Sequence, residues 1–89
     1  MSHMTDKVAL ITGASSGIGR ATAEAFAANG ARVVLAARRE EELASLVKEI
    51  EARGGKATAV RTDVSVASDV EKMVAHAIET FGRFNYAVN

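Results

Sequence analysis

Between the apolar run Val8-Ala9-Leu10-Ile11-Thr12 and a stretch of helical period, the chain places Gly13-Ala14-Ser15-Ser16-Gly17-Ile18-Gly19. No other feature restricts the fold as much. The run before it has no in/out alternation, which suits a central parallel strand covered on both faces. After it, Ile18, Ala21, Ala25 and Phe26 recur at helical spacing as far as Asn29, and Gly30 stands where a left-handed C-terminal cap is expected. A buried strand that feeds a helix through a glycine turn belongs to a crossover unit, which joins parallel strands.

The rest of the chain repeats that alternation. Arg32 to Ala37 reads as a second buried strand. Glu40 to Arg53 reads as a helix, with Leu43, Leu46, Val47 and Ile50 on one face, acids in its first turn and Gly54-Gly55 after its end. Lys56 to Thr62 is a third strand whose mixed polarity places it nearer the sheet edge, with Ala57, Ala59 and Arg61 on one face and Thr58, Val60 and Thr62 on the other. Ser65 is the expected N-cap of a third helix that runs to about Phe81 and presents Val70, Met73, Val74, Ala77, Ile78 and Phe81. Gly82 ends it, and Tyr86 to Asn89 begins a fourth strand. Neither repeats nor linkers divide the chain, so it is one domain or part of one.

Composition narrows the possible roles. The 89 residues are 48% apolar and 25% charged, which excludes a disordered tail. Eleven basic residues balance eleven acidic ones, so no summed positive field draws nucleic acid or an anionic membrane. The absence of cysteine excludes disulfides and thiolate metal sites, and no metal is expected. The apolar runs fall far short of the roughly 20 residues of a membrane helix, and no basic-then-apolar leader opens the chain, so a cytoplasmic location is expected. Met1-Ser2-His3-Met4 reads as a cloning remnant before a domain spanning residues 5–89.

The glycine segment has a chemical reading. Gly13 permits a sharp exit from the strand, Gly17 lets the backbone approach a pyrophosphate closely, and Gly19 lets the helix pack near the strand. Free N–H groups at the helix start and the helix dipole favour an anion there. A tight turn alone normally needs fewer residues. The segment lacks the Gly-Lys-Ser/Thr of a Walker-type loop. Gly13-Ala14-Ser15-Ser16-Gly17 does match a nucleophile elbow, which makes a serine hydrolase with Ser15 as nucleophile the remote alternative. That enzyme needs a downstream histidine, and only His76, within a helical segment, is available.

Ala37 comes 18 positions after Gly19, close to the spacing of about 20 at which a dinucleotide-binding unit places the acid that holds the ribose. Here Arg38 and Arg39 follow instead. An acid would repel a 2′-phosphate, whereas a guanidinium forms a charge-assisted fork with it, so NADP is favoured over NAD. The bland reading has both arginines solvated and paired with Glu40, Glu41 and Glu42. Asp63-Val64 follows the third strand on the carboxyl rim, where ligands bind in such sheets. Asp63 suits the adenine amino group, with Val64 beside it; an Asx turn is the equal alternative.

Thr-Gly-x-x-x-Gly-x-Gly at Thr12 to Gly19, Asp63-Val64 and the apolar segment ending in Asn89 together resemble the short-chain dehydrogenase/reductase family over Thr5 to Asn89. The resemblance implies an α/β fold: a Rossmann-type parallel sheet in the order 3-2-1-4, half of a doubly wound domain, with helices 1 and 2 on one face and helix 3 on the other. It implies hydride transfer between a nicotinamide cofactor and an alcohol or carbonyl. By similarity Gly13, Ser15, Ser16, Gly17, Ile18 and Gly19 form the pyrophosphate loop. Arg38 and Arg39 would serve the 2′-phosphate, and Asp63 and Val64 the adenine pocket. Asn89 matches the first residue of the family's Asn-Asn-Ala-Gly run. Two departures stand out: Asn85 replaces a frequent acid, and the family's catalytic Ser and Tyr-x-x-x-Lys have no counterpart here, so no catalytic residue is assigned. Tyr86 is expected to pack in its strand.

The chain thus reads as the cofactor-binding half of an NADP-dependent oxidoreductase, inactive alone. A stand-alone or engineered α/β module that self-assembles is the competing class. Either way a homo-oligomer is expected, because strand 4 is an unpaired edge and one helix is too little to cover the apolar surface of strands 1 and 4.

Overall fold

A computed structural model describes residues 4–88. Its elements follow in the order β1 (Val8–Thr12), α1 (Gly17–Ala28), β2 (Arg32–Ala37), α2 (Glu40–Ala52), β3 (Lys56–Arg61), α3 (Ala67–Phe81) and β4 (Tyr86–Val88). All four strands are parallel, in the order β3-β2-β1-β4. β1 and β2 lie at the centre of the sheet. Val8 to Ile11 and Val33 to Ala37 are all buried, as continuous apolar runs require when helices cover both faces.

The two faces carry separate cores. Ala9, Ile11, Val33 and Leu35 pack with Ala23 of α1 and Leu43, Leu46 and Ile50 of α2. Val8, Leu10, Val34 and Ala36 point the other way, onto Met73 and Ala77 of α3. Helices 1 and 2 therefore share one face and helix 3 takes the other. Met4, which the sequence groups with a cloning remnant, packs against the first core, and its N–H donates to the carbonyl of Asn29 (2.9 Å).

Three expectations need correction. The face α1 buries consists of Ala23, Phe26 and Ala27, while Ile18, Ala21 and Ala25 are exposed. Ser65 does not cap α3. The helix starts two residues later, Val66 occupies the cap position, and no side chain caps it. Nor is strand 1 exposed, because α3, with Val70, Val74 and Phe81 beside its buried residues, closes over Val8 and Leu10. Exposure is confined to β4 and its approach, where Phe84, Tyr86 and Ala87 meet solvent.

β4 is held by few residues, and side chains reinforce it. The backbone N–H of Val8 donates to Asn85 Oδ1 (2.9 Å), and the Asn85 N–H returns to the Val8 carbonyl (2.7 Å). At the other end, Thr12 Oγ1 donates to the Val88 carbonyl (3.2 Å). The Tyr86 ring packs edge-on to Phe26 at 5.7 Å, in keeping with a packing role. Across the outer surface, Arg20 of α1 reaches Glu49 of α2 at 2.6 Å. Among the described residues no helix is long and apolar enough to cross a membrane.

Candidate functional site

The carboxyl ends of β1, β2 and β3 converge on one rim. Two backbone bonds tie it together: the Ala14 N–H to the Ala36 carbonyl (3.2 Å) and the Thr62 N–H to the Ala37 carbonyl (2.8 Å). Thr62 is itself buried, and its Oγ1 donates to the Val60 carbonyl (3.1 Å). Sequence reading placed Thr62 at the end of the third strand; here it clamps the start of the loop that follows.

Gly13 leaves β1 with φ +64°, a conformation that a side chain resists. The chain then turns into α1, which Ser16 caps. Ser16 Oγ accepts from the Gly19 N–H (3.1 Å) and donates to the Gly13 carbonyl (2.8 Å). The Ser16 hydroxyl therefore shapes the loop. Arg20 N–H donates to the Ser16 carbonyl (2.8 Å), whereas the amides of Gly17 and Ile18 have no acceptor among the described residues. They are the open donors of the helix start.

Gly17 and Gly19 are glycine for different reasons. A Cβ on Gly19 would collide with the carbonyl oxygen of Gly13 and stand 2.7 Å from its carbon. The close approach is thus between the first turn of α1 and the residue that directly follows β1, where the sequence expects the helix to pack near the strand. A Cβ on Gly17 would meet nothing within 4 Å. The fold does not require glycine there, and the space above the open amides stays clear.

Gly13, Ser15, Arg38, Arg39, Asp63 and Val64 line one groove of about 430 Å³, together with Ala36, Ala37, Thr62 and Ser65. Six sequence candidates from three separate loops are brought together. Ser16, Gly17, Ile18 and Gly19 continue from it into the start of α1. Ile18 is 84% exposed and Val64 61% exposed, so both present large apolar surface at the rim. Asn89 lies outside the described residues.

The two arginines differ. Arg39 precedes α2 and its Nη1 lies 3.1 Å from Glu42 Oε1, as the bland reading had it. Arg38 is exposed and has no ion pair among the described residues.

Asp63 adopts the Asx turn: its Oδ1 accepts from Ser65 N–H (3.0 Å) and Ser65 Oγ (2.6 Å). These bonds, aided by the positive charges of Arg38 and Arg61, hold its carboxyl below the usual aspartate range. The Asp63 N–H donates to Asp69 Oδ2 (3.0 Å), which fixes the loop to the first turn of α3. Asp69 went unremarked in the sequence; an acid in the first turn of a helix was the available signal. Oδ2 of Asp63 has no partner among the described residues, so the turn leaves one acceptor at the groove.

No histidine lines the groove at Ser15. Nε2 of His76 is hydrogen-bonded to Thr58 Oγ1 (2.9 Å), in the middle of β3. A nucleophile elbow gains no support from this geometry.

The profile of the short chain dehydrogenase family matches residues 7–89. The chain belongs to the short-chain dehydrogenase family. Its relatives include the A-factor type gamma-butyrolactone 1′-reductase (1S-forming) of Streptomyces virginiae, 51% identical over 86 residues that span 97% of this chain and 34% of that one. A short-chain dehydrogenase/reductase from Burkholderia phymatum, solved in complex with NAD, superimposes with a TM-score of 0.91 at 42% identity, covering 98% of this chain and 31% of the other. Hydroxysteroid dehydrogenase from Escherichia coli does so with a TM-score of 0.94 at 35% identity, covering 97% and 37%. The chain spans about a third of the length of these short-chain dehydrogenases. The Asn85 departure also acquires a physical reason: its side-chain oxygen accepts from the Val8 N–H, a bond an acid at this position can equally accept.

Proposed function

We propose that this chain is the cofactor-binding part of an NADP(H)-dependent short-chain oxidoreductase. The observation that carries the reading is Gly17. The fold leaves its Cβ position empty, and the open amides of Gly17 and Ile18 stand beside that space. Such an arrangement suits a pyrophosphate, whose charge the start of α1 also favours. Arg38 then takes the 2′-phosphate, and Oδ2 of Asp63 accepts from the adenine amino group. When bound, the cofactor supplies or accepts a hydride, exchanged in the whole protein with an alcohol or carbonyl substrate. The described residues bind and orient; none is assigned to the proton transfer, and the chain by itself is expected to be inactive. We place it in the cytoplasm.

The cofactor preference is tested with Arg38→Asp. That variant is expected to bind NADPH at least about tenfold more weakly, from the loss of a charge-assisted bond of roughly 1.5–3 kcal/mol, and NADH no worse than before. An unchanged ratio between the two cofactors would refute the role of Arg38.

Association through β4 is part of the proposal. Phe84 and Tyr86 are 38% and 39% exposed at a strand that, among the described residues, pairs on one side only. Light scattering is expected to find a homodimer or larger species, and a monodisperse monomer would contradict it.

A further inference from the structure

We propose that Arg61, rather than Arg39, is the second guanidinium of the 2′-phosphate site. The proposal rests on the reading that Arg38 receives that phosphate, and it deepens that reading.

Arg61 is the last residue of β3 and pairs in register with Ala37, the last residue of β2. Partners in a parallel pair share a face, so the Arg61 side chain leaves the sheet on the side of α2, one residue from the level of Arg38. A groove of about 540 Å³ opens there, lined by Arg38, Arg39, Arg61 and Glu40 to Glu42.

The three cations of that groove are not equivalent. Arg39 is engaged by Glu42, and that pair cancels one charge of each sign. Arg38 and Arg61 are exposed and have no ion pair among the described residues. Both line the same groove, and the positive charge of each lowers the pKa of Asp63. Two guanidiniums without counter-ions repel each other, and a dianion between them removes that repulsion. The amino end of α2, which no side chain caps, adds its dipole to the attraction. Glu40 and Glu41 work against it, and without Arg61 they would outnumber the one remaining free cation among the described residues of the groove.

The test measures binding of NADPH, NADH, adenosine 2′,5′-bisphosphate and 5′-AMP to the chain and to Arg61→Gln, Arg38→Gln, Arg39→Gln and Lys48→Gln. Arg61→Gln is expected to weaken NADPH and the bisphosphate about tenfold while leaving NADH and 5′-AMP within about twofold. Arg39→Gln is expected to do less than Arg61→Gln. Lys48→Gln removes an exposed charge from the far part of α2 and is expected to change nothing. Thermal melts of all variants should coincide, since Arg61 is exposed at the end of its strand. If Arg61→Gln weakens all four ligands alike or none of them, while Arg38→Gln loses only the 2′-phosphorylated pair, the role of Arg61 is overturned and that of Arg38 stands. If the unaltered chain binds the bisphosphate no better than 5′-AMP, the parent reading falls and this one with it.

Discussion

Replacing Gly17 and Gly19 separately by alanine should separate the needs of the fold from the needs of the ligand. Alanine at position 17 meets open space, and its φ is not in the left-handed region. It gains helix propensity of up to about 1 kcal/mol, less at a first-turn position, and it restricts the unfolded chain by about 0.4–1 kcal/mol. For a domain of this size the melting temperature should hold or rise by a few degrees, at about 4–8 °C per kcal/mol. The same methyl group fills the space above the Gly17 and Ile18 amides, so NADPH binding should weaken about tenfold or more. Alanine at position 19 runs into the Gly13 carbonyl. Backbone cannot swing aside as a side chain does, and overpacking of this kind costs roughly 1–3 kcal/mol, a large part of the about 4–13 kcal/mol available to the whole chain. Gly19→Ala should lower the melting temperature by about 5 °C or more. The assay is paired: thermal unfolding by circular dichroism and cofactor titration on both variants. If Gly17→Ala binds NADPH as well as the parent chain, the open space is not where the pyrophosphate sits and the reasoning fails.

Other outcomes follow from single contacts. Asn85→Ala should cost about 1–3 kcal/mol in urea unfolding, because it strands the buried Val8 N–H, while Asn85→Asp keeps an acceptor and should stay within about 1 kcal/mol of the parent. Leu46→Ala, emptying a fully buried site in the first core, should cost about 2–5 kcal/mol by the same assay. Asp63 has its pKa lowered in the folded state from an unperturbed 3.8, so its stabilising effect is present above that value and fades as the pH falls through the folded pKa. Denaturant midpoints of Asp63→Asn should therefore fall less than those of the parent chain as the pH drops below 3.8, and parallel curves would contradict the Asx turn as the cause.

Much of the architecture was legible because β1 and β2 are apolar without alternation, which only burial on both faces explains, and because α2 carries a clean leucine stripe. α1 was harder. It is built largely of alanine, which appears in every helical phase, so hydropathy could not choose between Ala21 and Ala23; Ile18 misled because its exposure belongs to the rim and not to the core. Ser65 was read as a cap because serine before an apolar helix usually is one, yet Asp63 two residues earlier takes its hydroxyl and delays the helix. The apparent exposure of β1 came from reckoning one helix against two strands, whereas the register sets Val8 and Leu10 under α3. At the site, Gly13 and Asp63 are legible from their places directly after apolar strands, and Arg38 from its spacing to Gly19. Arg61 was seen only as a strand residue, since its place beside Arg38 is created by the pairing of β3 with β2.

The central claim is that the groove at the carboxyl rim is a 2′-phosphate-selective dinucleotide site, and side-by-side calorimetric titration of the unaltered chain with NADPH and NADH tests it most directly. At low salt NADPH should bind at least about tenfold more tightly, with the difference shrinking as salt is raised, as exposed guanidinium–phosphate contacts require. Equal or tighter binding of NADH would contradict it.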